Sequence, residues 1–202
     1  MVTDTMIRLV FAMLIAAHAL ARFIWRIYLY QQTQQRKEKS NRKILSVGEI
    51  SVFIAMRLWA LSAMMYPFNF TWFDFPAPLP SWIRWLGVVG MILCLAPSVW
   101  TFVSLGRSFS PGLRMRTGHQ LITTGPYQLV RHPMYATFFL CALSATLASA
   151  NLVITFTTMV AITALALRIK KEDEMLLKHF GERYIEYMRK TGAIVPKWFL
   201  SR

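Results

Sequence analysis

The chain has 202 residues, 55% of them hydrophobic, and carries 23 Lys and Arg against 9 Asp and Glu for a formal net charge of +14. That much apolar residue exceeds the usual share in a soluble domain, and the length allows one domain or a small helical bundle. Excess positive charge fits a nucleic-acid binder or a membrane protein with basic loops; here the apolar residues run in long blocks with the basic ones between them, and no zinc spacing, basic–aromatic groove or RNA-binding signature occurs, so a lipid bilayer is the expected partner and nucleic acid is not.

The first apolar run, Ile7–Tyr30, is long enough to cross a bilayer. Asp4 and Arg8 precede or open it, while strongly basic residues follow. This asymmetry predicts a retained span with its N-terminus outside, rather than a cleaved signal. His18, Arg22 and Arg26 share one helix face, where the two arginines are expected to snorkel toward the interface. Gln31–Ser46 reads as a basic polar linker. Val47–Pro67 is a second span with Arg57 ten residues in, where a charge needs a partner or a cavity. Phe68–Ser81 has three prolines and no Lys or Arg, and reads as an outside loop. Trp82–Leu105 is a third span with Pro97 as a kink.

Gly106–Arg131 is a basic loop ending in the densest polar and aromatic stretch of the chain, Gly125-Pro126-Tyr127-Gln128-Leu129-Val130-Arg131-His132-Pro133-Met134-Tyr135. Pro133 suits the first turn of a helix. From Met134 to Leu167 there is no charged residue. A helical hairpin over Pro133–Ile169 is predicted, turning at Ser149-Ala150-Asn151 with Asn151 as N-cap. Glu172–Lys190 reads as one amphipathic helix on the membrane surface. The fold class is therefore all-α, a polytopic integral membrane protein of about five transmembrane helices with a C-terminal amphipathic helix. Residues 1–202 form one membrane domain, with three spans in 1–105 and a cofactor loop, hairpin and amphipathic helix in 106–202 as the catalytic part. The three basic segments hold 17 of the 23 Lys and Arg, which puts the active site on the cytoplasmic side. Cys94 and Cys141 lie inside apolar runs and read as buried thiols, so no metal is expected.

The hairpin returns the chain to its starting level, which brings His132 and Tyr135 close to Arg168 and Glu172. The last two are four apart and share a helix face. As a helix-stabilising pair they have the weaker orientation, Arg before Glu, so a ligand bearing both charges is the better reason for them. No Ser/His/Asp set or phosphate loop competes.

These residues resemble the isoprenylcysteine carboxyl methyltransferases and their relatives among small membrane phospholipid-type methyltransferases. The resemblance rests on Gly125-Pro126-Tyr127, Arg131-His132-Pro133-Met134-Tyr135, the apolar hairpin, Glu172-Asp173 and Leu177–Tyr184, and covers about Leu105–Pro196. It implies S-adenosyl-L-methionine as cofactor, in a pocket lined by His119, Gln120, Leu121, Ile122, Tyr127, His132, Pro133, Met134 and Tyr135. It further implies that Glu172 contacts the cofactor and Arg168 the acceptor carboxylate, the acceptor being a prenylcysteine-like small molecule or protein C-terminus. Asp173 departs from the usual second Glu, and Thr191-Gly192-Ala193 lacks the basic residue that often follows the Gly. A phospholipid or other lipophilic acceptor is the alternative. Membrane sterol reductases, which bind NADPH, resemble the same Arg-His-Pro motif, but an acidic residue soon follows the Tyr there, and here Tyr135 leads into Ala136-Thr137-Phe138.

Overall fold

The computed structural model describes residues 2–34, 47–105 and 121–200. Its helices are α1 (Val2–Gln34), α2 (Val47–Met65), α3 (Ser81–Leu105), α4 (Pro133–Ser149), α5 (Leu152–Phe180), α6 (Glu182–Lys190) and the short α7 (Lys197–Leu200), with single 3-10 turns at Tyr66–Phe68, Thr71–Phe73 and Gly125–Gln128. No strand occurs among the described residues; Pro76 and Asn151, and Val130 and Gly192, form isolated bridges. Four helices, α1, α2 with its 3-10 extension, α3 and α5, are long and apolar enough to cross a membrane, and α4 is a shorter apolar helix of 17 residues. Seventeen is the low end of what spans. The protein is an all-α, multi-pass membrane protein.

In lipid, helices associate through close packing and interhelical hydrogen bonds rather than through the hydrophobic effect. Both devices appear. On α3, a Cβ at Gly87 would lie 2.3 Å from the Ala148 backbone nitrogen, and one at Gly90 would lie 2.4 Å from Ser144 Oγ. The two glycines let α3 approach the Ala142/Ala145/Ala148 face of α4, whose three alanines are fully buried. The second pair, α2 with α5, is joined by polar contacts. Trp59 Nε1 donates to Thr158 Oγ1 at 3.0 Å, and the Ser62 and Thr157 hydroxyls bond at 2.8 Å. Trp59 also meets Phe138 edge-on, which ties this pair to α4.

Asn151 caps α5 as expected: its Oδ1 accepts from the amides of Val153 and Ile154, and its Nδ2 donates to the Phe73 carbonyl at 3.0 Å. The 66–80 loop is thereby sewn to the hairpin turn, helped by Leu152 N–H donating to Phe75 O at 2.8 Å. Beside it, Arg8 bonds Asp4, Asp74 and the Tyr66 carbonyl, while Arg84 bonds Asp4, the Tyr66 hydroxyl and the Ala148 carbonyl.

One expectation is corrected at the C-terminal end. The apolar spacing Leu176, Phe180, Tyr184, Tyr187 does not mark one surface helix over Glu172–Lys190. Helix α5 runs on to Phe180, the chain turns at Gly181 with φ +55, and α6 starts afresh at Glu182. A left-handed residue cannot continue an α-helix, and glycine adopts it without strain. The turn folds α6 back so that Tyr184 is fully buried and Tyr187 nearly so. The two tyrosines of its apolar face thus pack on protein.

Candidate active site

Pro133 opens α4 with His132 as the preceding cap residue. Just before it, the Arg131 and His132 amides donate to the carbonyls of Gly192 and Ala193, both at 2.9 Å. The C-terminal tail is thus clamped along the Arg-His-Pro stretch. Only glycine fits at 192, because a Cβ would fall 1.8 Å from the Val195 carbonyl oxygen. Gly125, at φ +62, lets the preceding turn press on Ser104 of α3.

With α4, α5 and α6 so placed, two polar pairs form side by side. Tyr135 donates its hydroxyl to Glu172 Oε2 at 2.6 Å. His132 Nε2 lies 2.7 Å from Asp173 Oδ1; a carboxylate only accepts, so the Nε2–H is the donor. The His132 and Tyr135 rings are parallel, with centroids 5.5 Å apart. Asp173 is the hub: it also accepts from the Tyr184 hydroxyl at 2.5 Å and meets Arg131 at 3.4 Å. Arg131 reaches on to the Thr191 carbonyl at the end of α6, a helix C-terminus where a cation is stabilised. Tyr187 donates to the Tyr127 carbonyl at 2.6 Å. Burial and the bond to Asp173 push the Tyr184 hydroxyl above its ordinary range. Burial does the same to Tyr127 and Tyr187. All three remain neutral hydroxyls.

Tyr127, Arg131, His132, Tyr135, Glu172, Tyr184 and Tyr187 front a cavity of about 510 Å³, within the range of cofactor and small-molecule sites. Of the residues singled out in the sequence, Leu121, Ile122, Tyr127, His132, Met134, Tyr135, Arg168 and Glu172 line it. Pro133 does not line it; it sets the first turn of α4 instead. His119 and Gln120 lie outside the described residues. Arg168 is buried, and its Nε stands 3.8 Å from Glu172 Oε2. That is too long for a hydrogen bond, so the near partner of Glu172 is Tyr135. Arg168 and Val52 also line a second cavity of about 440 Å³ between α2 and α5. Arg168 therefore stands on the partition between the two.

Sequence reasoning missed three members. Asp173 and Tyr184 entered as letters of the motif that carries the resemblance, without a role, and Tyr187 only as part of the apolar helix spacing. Their i, i+3 hydroxyls facing the Arg-His-Pro stretch were the available signal. Arg22, Arg26 and Arg57 also line the larger cavity. Arg57 thereby meets a cavity, one of the two conditions a membrane-depth charge requires. Among the described residues no group of three or more His, Cys, Asp or Glu is arranged to hold a metal ion, and both cysteines are free and buried.

Comparison with known proteins gives a consistent result. Residues 85–178 match the model of the isoprenylcysteine carboxyl methyltransferase (ICMT) family. The chain is 30% identical to protein-S-isoprenylcysteine O-methyltransferase B of Arabidopsis thaliana over 118 residues, which cover 57% of this chain and 60% of that one. It is 31% identical to the cobalt-zinc-cadmium resistance protein CzcN of Cupriavidus metallidurans, over 58% of this chain and 50% of that one. In fold it is similar to the structure of the eukaryotic intramembrane Ras methyltransferase ICMT, with TM-score 0.50 and 24% identity over 73% of this chain and 51% of that one. The matched region thus spans between half and three-fifths of these relatives.

Proposed function

We propose, for a chain that belongs to the isoprenylcysteine carboxyl methyltransferase family through its residues 85–178, that it transfers a methyl group from S-adenosyl-L-methionine to a carboxylate of a lipophilic, prenylcysteine-like acceptor. The observation that carries this reading is the convergence of Tyr135, Glu172, His132 and Arg168 on one cavity, with Asp173 holding His132 from behind and Arg168 shared with a second cavity between α2 and α5. The donor set fits the cofactor. The carboxylate of Glu172 suits its ammonium or ribose hydroxyls, Arg131 Nε is buried with no partner among the described residues, and apolar side chains such as Leu121 and Ile122 suit the adenine.

When bound, S-adenosylmethionine supplies an electrophilic sulfonium methyl, which an acceptor carboxylate takes up with no proton to remove. Tyr135 fixes Glu172 in one rotamer through its 2.6 Å bond, so the carboxylate is aimed before the cofactor arrives. Asp173 holds His132 and Tyr184 together and closes the floor with α6. Arg168 keeps its charge in a dry setting and orients the acceptor carboxylate. Orientation and exclusion of water are what such a displacement needs. The reading keeps the division proposed from sequence, with residues 106–202 as the catalytic part, while α1, α2 and α3 contribute to the cavity wall. The basic loops favour a cytoplasmic site and an outside N-terminus.

The test is transfer of a labelled methyl from S-adenosylmethionine to N-acetyl-S-farnesylcysteine, a phospholipid and a small lipophilic thiol, with products identified by mass. Ester formation on the farnesylcysteine is expected. Methylation of the phospholipid or thiol alone would move the acceptor class, and binding of NADPH in place of S-adenosylmethionine would overturn the reading.

A further inference from the structure

The cavity is more cationic than one acceptor carboxylate and the carboxylate of S-adenosylmethionine together require. Five arginines line it, Arg22, Arg26, Arg57, Arg131 and Arg168, against one acid, Glu172. Arg131 has Asp173 and Arg168 has Glu172. Arg22, Arg26 and Arg57 are exposed to the cavity, and among the described residues no carboxylate pairs with them.

The chain's nine acids can be placed in turn. Asp4 and Asp74 are bonded to Arg8 and Arg84 at the other end of the bundle. Glu172 and Asp173 belong to the site. Glu174, Glu182 and Glu186 are exposed on α5 and α6, away from the cavity lining. Glu49 is buried in the first turn of α2, eight residues and so ~12 Å of helix from Arg57. The ninth, Glu38, sits in a sequence segment with Arg36, Lys37, Lys39, Arg42 and Lys43, where basic residues outnumber it five to one. Among the described residues no carboxylate is placed to neutralise the three arginines.

The depth of Arg57 makes this more than an interfacial belt. Trp59 on α2 bonds Thr158 on α5, and Arg168 lies ten residues beyond Thr158. At ~1.5 Å per residue Arg57, two residues from Trp59, is ~12 Å deeper in the bundle than Arg168. Arg22 lies nearer the mouth, its guanidinium 5.8 Å from the ring of Phe102 in the last turn of α3, so the arginines run from the mouth down to Arg57. Like charges at that depth are costly and mark a ligand path.

We propose that Arg22 and Arg57, with Arg26 one turn toward the polar end of α1, form a subsite for a second anionic group of the acceptor, a phosphate or second carboxylate. The inference rests on the methyltransferase reading and deepens it. The acceptor is an amphiphile with at least two acidic groups, one at Arg168 for methylation and one held farther in.

The test is inhibition of methyl transfer to N-acetyl-S-farnesylcysteine in neutral detergent by dodecyl phosphate against dodecanoate. Dodecyl phosphate should inhibit at least tenfold more strongly. Arg57→Gln and Arg22→Gln should each abolish that preference, and Arg57→Lys should keep most of it, with folding checked by melting temperature. No preference, or a preference untouched in both Gln variants, overturns the proposal while leaving the methyltransferase reading intact. If phosphatidylglycerol nanodiscs, unlike phosphatidylcholine ones, remove the preference, the subsite belongs to bilayer lipid and the proposal also falls. If no methyl transfer occurs at all, the earlier reading fails. Quenching of the cavity tryptophan Trp25 by dodecyl phosphate then tests the subsite directly, and equal binding by wild type and Arg57→Gln refutes it.

Discussion

The two ends of this helical bundle each hold a knot of charged and aromatic residues, and they are built to opposite plans. At the loop end, Arg8 and Arg84 share Asp4 at 2.9 and 2.8 Å, Arg8 takes Asp74 at 2.9 Å, and both use an oxygen of Tyr66. Arg8 also lies over the Tyr66 ring at 4.6 Å. The bonds start and finish within the protein and join α1, α3, the α4 terminus and the 66–80 loop. At the other end, Glu172 and Arg168 stand 3.8 Å apart beside a cavity that four further arginines also line. A charged cluster whose bonds close on themselves is a clamp. One whose charges face a cavity is prepared to bind. Both clusters draw on arginine, carboxylate and tyrosine side chains, so the cavity is what separates them.

That contrast is broken most severely by removing a charge from the open end. Arg168→Ala should raise the KM for the acceptor carboxylate by at least ~30-fold, since stripping one partner from a poorly solvated charge contact costs on the order of 2–5 kcal/mol. Donor affinity and melting temperature should hardly move. A change near half a kcal/mol, the scale of an exposed helix pair, would make Arg168 a surface residue.

The closed end should answer in the other currency. Arg84→Ala removes bonds to Asp4, Tyr66 and Ala148 and should lower stability by about 2 kcal/mol, a hydrogen bond to a charged group being worth roughly that much. Donor affinity of the folded fraction should be unchanged, as read by thermal melting beside calorimetry. Loss of binding without loss of stability would mean that the loop end also serves the site.

Smaller changes sharpen the picture within the open end. Tyr187→Phe removes a neutral hydrogen bond to the Tyr127 carbonyl and should cost about 1 kcal/mol of stability. The smallest effect is one of pH. The Tyr184 hydroxyl sits above its ordinary value of 10.0 when folded. Its contribution to stability is therefore complete below that value and is lost only as pH rises beyond it. The stability difference between wild type and Tyr184→Phe should be flat to about pH 10 and shrink above it; a difference that shrank at neutral pH would contradict the assignment.

How far sequence reading reached depended on the range of the interaction. The spans were legible because apolar runs report burial in lipid directly, and the hairpin turn because Asn151 caps its own helix two and three residues on. The meeting of Tyr135 with Glu172 followed from the hairpin's return. Gly181 was misjudged because the apolar spacing passes through it undisturbed; only its positive φ reveals the break. Asp173 draws its donors from 131, 132 and 184, and no local pattern shows that three segments converge on one carboxylate. The clamp was invisible for the same reason: Arg8 and Arg84 find partners 66 and 80 residues away.

The central claim is that the cavity at the open end holds S-adenosylmethionine against Glu172. Calorimetric titration of S-adenosylmethionine into the purified protein and into Glu172→Ala tests it most directly. Saturable binding to the wild type, at least ~30-fold weaker in Glu172→Ala, is the result predicted from about 2 kcal/mol of lost contact. Equal affinity in both proteins, or no binding to a folded wild type that binds NADPH instead, would contradict it.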